Sequence, residues 1–261
     1  MKTRHILYGA LAFSALLTSC DEVDKADRYI YVEPATVARH VLIEDFTGQR
    51  CINCPKAHEA IEHLQAQYGE ENVVAVSIHA GQLAVKGSDD TRFLKTDLGD
   101  EYNNYWKIEA WPMGIINRVS GVAAHTDWAT YVHNEIQKPT SLKLNVAPSF
   151  DSATRELTLN VEGYGLDNVR GKLQLWLVED HIVANQLMPD GSMNRNYVHN
   201  NVFRTAVNGK WGTDFPVAYN ETTRETFTMT LKDSWKAEEV SVVAFVYNDA
   251  GVVQVIKQKI Q

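Results

Sequence analysis

Val41-Leu42-Ile43-Glu44-Asp45-Phe46-Thr47-Gly48-Gln49-Arg50-Cys51-Ile52-Asn53-Cys54-Pro55 is the stretch that decides how this chain is read. Its apolar, β-branched start predicts a buried strand, which Thr47-Gly48 ends. After Pro55, residues Ala57, Ile61, Leu64 and Tyr68 recur at helical spacing, Lys56, Glu59, Glu62 and Gln65 take the other side, and Gly69 stops the helix. Pro55 has no N–H to lose and suits the first helical turn. The two cysteines therefore stand at a helix N-terminus, where free N–H groups and the helix dipole favour a thiolate. Arg50, Lys56 and His58 add cationic character nearby. Cys51 is the expected nucleophile and Cys54 the resolving thiol. His58 and His63 are expected on the solvated side of the helix. Glu44 and Asp45 point to opposite faces of their strand, so only one of them can serve the sulfurs.

The arrangement resembles the thioredoxin-like superfamily, in which an aspartate on the strand before the cysteine pair takes the proton of the second cysteine. That resemblance implies the role for Asp45. It also implies a cis-proline facing the cysteines, and Trp111-Pro112 before Gly114-Ile115-Ile116-Asn117 fits it. The dipeptide Ile52-Asn53 departs from the Gly-Pro of thioredoxin, which leaves redox potential and direction open.

Towards the N-terminus, Lys2, Arg4 and His5 precede an apolar run from Ile6 to Leu17 that is too short to span a membrane, the pattern of a secretory signal peptide. It ends in Leu17-Thr18-Ser19-Cys20, which resembles a bacterial lipobox. The resemblance implies removal of residues 1–19, acylation of Cys20, palmitate included, and a membrane anchor there. Of three cysteines, two then remain for the Cys51/Cys54 pair, in the oxidising cell envelope. Residues 20–36 form an acidic tether, whose Asp21-Glu22-Val23-Asp24 resembles signals for export to the cell surface.

The net charge of the chain is -8. Loss of Lys2 and Arg4 leaves 23 basic against 33 acidic residues, or -10, with no basic stripe, which argues against a nucleic-acid partner. No Ser-His-Asp order, phosphate loop or zinc spacing is visible, so neither a cofactor nor a metal is expected. Asp190, Ser192 and Asn194 alternate like calcium ligands, but Arg195 stands where such loops need glycine.

The fold expected is an α/β thioredoxin-like domain over residues 37–139, carrying a helical insertion over 80–108, followed by an all-β immunoglobulin-like sandwich over 140–261. The first part adds a buried strand over 72–78, a helix ending at Trp106, a hairpin across Ser120-Gly121 and a helix from Asp127 to Gln137. From Thr140 the pattern alternates in short strands over 141–146, 156–161, 172–177, 226–231, 240–247 and 252–256. The long irregular stretch from Met188 to Val217 holds Tyr197, His199 and Arg204, a candidate binding loop.

With the lipobox, Glu44-Asp45-Phe46-Thr47-Gly48, Cys-x-Asn-Cys-Pro, Pro112 with Asn117-Arg118, Tyr197/His199/Arg204 and Val243-Ala244-Phe245-Val246-Tyr247 taken together, the chain resembles the Porphyromonas-type 28-kDa outer-membrane lipoprotein family of the Bacteroidetes. This implies a lipid-anchored, surface-exposed outer-membrane protein. Asp151-Ser152-Ala153 matches an O-glycosylation signal of that phylum, with Ser152 as acceptor. Two functions are expected: thiol-disulfide exchange on envelope or extracellular protein or peptide partners, or surface adhesion or reception with the disulfide as a structural staple.

Overall fold

The computed structural model describes residues 37–261. The signal peptide, Cys20 and the acidic tether fall outside the described residues. In chain order the elements are β1 (Val41–Thr47), α1 (Cys54–Tyr68), β2 (Val73–His79), α2 (Asp97–Tyr105), β3 (Met113–Ile116), β4 (Ala123–Ala124), α3 (Trp128–Ile136), β5 (Leu142–Asp151), β6 (Glu156–Gly165) and β7 (Lys172–Glu179). They continue as β8 (Ile182–Leu187), β9 (Met193–His199), β10 (Val202–Ala206), β11 (Thr213–Asp214), β12 (Thr222–Thr230), β13 (Val240–Asn248) and β14 (Gly251–Lys259).

The expectation of an α/β thioredoxin-like domain followed by a separate immunoglobulin-like sandwich is corrected. The chain is mostly β, with three α-helices among fourteen strands in the described residues, and one nine-stranded sheet draws strands from both halves. Its order is β14-β13-β7-β10-β2-β1-β3-β4, with β11 attached to β7. The physical reason lies at β2. A parallel strand buried on both faces leaves an edge of unpaired backbone groups. Here β10 takes that edge, through Val202 opposite Ser77 and the Ser77 N–H donating to the Asn201 carbonyl at 2.8 Å. Local periodicity carries no information about that partner, because β9 and β10 both lie in the stretch from Met188 to Val217 that reads as irregular.

Strand alternation distributes the core over the two faces of this sheet. Val41 and Ile43 of β1 and Val73 and Ala75 of β2 meet Ala57, Ile61 and Leu64 of α1 and Trp128 and Val132 of α3. Elsewhere in the sheet, Leu173, Leu175, Leu177, Val242 and Ala244 pack on Leu142, Leu157, Leu159 and Val161 of a three-stranded sheet, β12-β6-β5. The opposite face carries Leu42, Phe46, Val74, Ile115, Trp176 and Phe245 under Tyr102 of α2. The strands β8 and β9 form a separate two-stranded hairpin, pinned by Ile182 and Ala184 against Leu94 and Val202.

Candidate functional site

The cysteine turn starts where β1 ends. Gly48 approaches the backbone of Leu83 so closely that an added Cβ would lie 2.6 Å from its carbonyl carbon, and Arg50 N–H donates to the Leu83 carbonyl at 2.9 Å. Cys51 and Cys54 form a disulfide, with Cα atoms 5.4 Å apart. Cys54 is the first residue of α1 and Pro55 lies in its first turn, where the absent N–H goes unmissed. The Trp111–Pro112 peptide bond is cis.

Both sulfur-bearing residues are covered. Cys51 is 2% exposed and Cys54 is fully buried, while Ile52 between them is 44% exposed. The cover is the β8–β9 hairpin. Gln186 Nε2 donates to the Cys51 carbonyl at 2.9 Å, and Leu187 N–H donates to the Gln49 carbonyl at 2.8 Å. Gln49 ties the turn to two further segments, donating through Nε2 to the carbonyls of Arg92 and Asn185 and accepting from Leu94 N–H.

Asp45 shares the β1 face of Val41 and Ile43 and therefore looks toward α1, the helix that begins at Cys54. It is completely buried. Ser77 Oγ donates to its Oδ2 at 3.4 Å, and Oδ1 has no hydrogen-bond partner among the described residues. Burial pushes its pKa up to about 8, against the pull of the Ser77 hydrogen bond. The nearest cation-capable group is His58 Nε2, 3.6 Å from Oδ2 and 3.3 Å from Thr47 Oγ1. His58 is itself held neutral, because burial lowers its pKa to about 4. Its Nδ1 lies 2.8 Å from the Tyr197 hydroxyl, which burial raises to about 12. A neutral His58 accepting the Tyr197 proton at Nδ1 carries its own hydrogen at Nε2, facing Thr47 and Asp45.

Two more histidines complete the surroundings. His199 is 1% exposed, with its ring 5.3 Å from that of His79 and 4.8 Å from Tyr197. Burial lowers His199 to about 3, and lowers His79 well below the ordinary histidine value. Of the candidate binding loop, Tyr197 is thus engaged with His58 and His199 is enclosed. Arg204 is buried and paired with Glu179 at 2.8 Å through Nε and Nη2, with Nη1 donating to the Asp90 carbonyl. Ser152 lies exposed in the turn between β5 and β6. Cys20 lies outside the described residues.

Comparison with known proteins adds the family. The sequence profile described as outer membrane protein Omp28 matches residues 99–261, well over half of the chain. The chain belongs to the Omp28 outer membrane protein family. Membership places this Omp28 protein at the outer membrane. The matched segment begins after the disulfide, so the Cys51 turn is outside it. The structure of HBP35 of Porphyromonas gingivalis is similar in fold, with a TM-score of 0.69 at 16% identity over 86% of this chain and 76% of that one. A domain of the outer membrane lipoprotein Omp28 from Porphyromonas gingivalis is 23% identical over 47% of this chain and 89% of that chain, with a TM-score of 0.34. No curated protein matches the sequence significantly.

His58, expected on the solvated side of its helix, is instead largely enclosed, with its side chain 15% exposed. The signal was present, since Cys54, His58 and Ile61 are spaced four and then three residues apart on one helical stripe. Gln186 and Gln49 carry no signal in the sequence, because a glutamine that satisfies backbone carbonyls across a tertiary contact leaves no pattern in the chain.

Proposed function

We propose that this Omp28-family outer-membrane protein exchanges disulfides with protein or peptide partners through Cys51 and Cys54, with Asp45 as proton acceptor. The observation that carries the reading is Asp45 itself. A buried carboxylate with no cation beside it among the described residues weakens the fold, yet at a pKa of about 8 it is matched to proton transfer near neutral pH. A purely structural staple leaves that group unexplained. Closing so short a loop also contributes only about 2 kcal/mol in the chain-entropy account.

In the reducing direction, the Cys51 thiolate attacks one sulfur of a partner disulfide and expels the other as thiolate. Cys54 then passes its thiol proton to Asp45 in its ionised form, a minority below about pH 8, and attacks Cys51 Sγ, which releases the second partner thiolate. The partner gains two electrons and the protein is left as the Cys51–Cys54 disulfide; the oxidising direction is the reverse. The segment at Pro112 supplies the backbone edge on which an extended partner lies. Because the β8–β9 hairpin covers Cys51, exchange proceeds only when that hairpin gives way.

The test uses the reduced Cys54→Ser chain with a peptide disulfide or oxidised glutathione, read by mass spectrometry. A mixed disulfide on Cys51, absent from Cys51→Ser, is the expected result. A Cys51 that stays unmodified on a folded chain contradicts the reading.

A second reading, a surface adhesin or receptor, is supported by the outer side of the hairpin, where Val183 opposes Val198 and both are about half exposed, with Met193 beyond them. Anchoring through acylated Cys20 and glycosylation at exposed Ser152 fit either reading.

A further inference from the structure

The face of the sheet opposite the disulfide carries a second concave site. A cleft of about 970 Å³ opens between the end of α2, the segment after β3 and the segment between β10 and β11. This is the upper end of the ~300–1,000 Å³ range of small-molecule sites. Its aromatic wall is Tyr105, Trp106, Trp211 and Tyr247. Tyr105 is 59% exposed and touches both tryptophans, with ring centroids 5.0 Å from Trp106 and 4.5 Å from Trp211.

The wall is rigid by construction. Tyr247 donates its hydroxyl to the Trp211 carbonyl at 2.7 Å, and Tyr102 donates to the Lys210 carbonyl at 2.6 Å. Gly212 follows at φ +69°, with an added Cβ only 2.0 Å from the Leu173 carbonyl oxygen, so no other residue continues the loop this way. Tyr105 packs against this fixed frame through both tryptophans, so it loses little freedom when something stacks on it.

The chemistry of the cleft narrows the occupant. A cationic ligand would seek the aromatic faces, but three of the four rings already carry a cation: the Arg118 guanidinium lies 4.2 Å from the Tyr247 centroid and 6.0 Å from that of Trp106, and Lys210 Nζ lies 5.9 Å from that of Trp211. A phosphorylated ligand would meet the carboxylates of Asp214 and Asp249, while of the lining cations Lys172 is committed to Asp214 at 2.7 Å and Arg118 to Glu44, which leaves Arg170 to face two carboxylates. A wholly apolar ligand would strand those charged groups and Asn248 without water. What remains is a neutral molecule with apolar C–H faces to lie on the rings and a periphery of hydroxyls to meet Asp214, Asp249, Asn248 and Arg170. We propose that this cleft binds neutral oligosaccharide, stacked on Tyr105 and Trp211.

The proposal is independent of the disulfide. The test titrates the oxidised, Cys20-lacking soluble chain with neutral trisaccharides of glucose, galactose, mannose and N-acetylglucosamine, followed by calorimetry and indole fluorescence. At least one trisaccharide is expected to bind. Tyr105→Ala should weaken it about tenfold, and Tyr105→Phe, which keeps the ring, should leave it within about threefold. Tyr105 is exposed and outside the core, and unchanged circular dichroism confirms that its variants fold. Three results would overturn the proposal: no binding by any of the four, binding that Tyr105→Ala leaves intact, or stronger binding of a sugar phosphate or of choline.

Discussion

Glu44 and Asp45 are neighbours in one strand, both fully buried, and they live in opposite electrostatic worlds. Glu44 faces the α2 side, where Arg118 Nε donates to it at 2.7 Å and Nη2 at 3.5 Å. Burial pulls the Arg118 guanidinium down, but Glu44's charge and hydrogen bonds outweigh it and the net shift is upward. Asp45 faces α1 and has a serine hydroxyl and a neutral imidazole instead of a cation. The difference teaches how to tell a structural carboxylate from one kept for chemistry: the first is neutralised where it stands, the second is held near its protonation point.

The largest break of that comparison is Arg118→Ala. It strips Glu44 of its partner and should cost about 3–5 kcal/mol in urea unfolding at pH 7. Asp45→Asn, by contrast, should not destabilise the fold at that pH. The sharper version follows pH. The folded protein keeps on Asp45, up to about pH 8, a proton that the unfolded chain releases near 3.8, so stability falls as pH rises through this range. His58, His79 and His199, all lowered, subtract stability as pH falls below about 7.5, where the unfolded chain begins to protonate them. Above about pH 7.5, where the unfolded chain's histidines are mostly neutral, the slope belongs to Asp45, at most about 1 kcal/mol per pH unit, and Asp45→Asn should flatten it. A variant whose stability runs parallel to the native chain's across this window would contradict the assignment.

Smaller effects follow on the disulfide side. Opening the pair, by reduction or in the Cys51→Ser/Cys54→Ser chain, should cost no more than about 2 kcal/mol in chemical denaturation. Gln186→Ala removes the hydrogen bond to the Cys51 carbonyl and should speed reduction by dithiothreitol about tenfold, measured by thiol trapping. An unchanged rate would mean that the hairpin does not control access. Smallest is Tyr197→Phe, about 1 kcal/mol through the lost bond to His58.

Much of this was legible in the chain. The apolar run 41–47, the helical stripe after Pro55 and the alternating segments after Thr140 all became the elements their periods indicate. The alternation that separates Glu44 from Asp45 was readable as well, since it needs only the two-residue period of a strand. What was not legible was pairing across distance. Nothing near Ser77 announces Val202, so one shared sheet was read as two folds. The hairpin over Cys51 escaped for the same reason, since β9 reads Met-Asn-Arg-Asn-Tyr-Val-His, too polar to signal a strand that buries His199. Arg118 as partner of Glu44 is a tertiary fact of the same kind, 74 residues apart in sequence.

The reduction potential of the Cys51–Cys54 pair distinguishes most directly between an exchanging pair and a staple. The Cys20-lacking soluble chain is equilibrated in glutathione or dithiothreitol buffers and its free thiols are trapped, with Cys54→Ser as control. A potential between about -120 and -270 mV is predicted, with Cys51 of the reduced chain alkylating readily near neutral pH. A pair that stays oxidised below about -300 mV would be a staple, and the account of Asp45 as its proton acceptor would be contradicted.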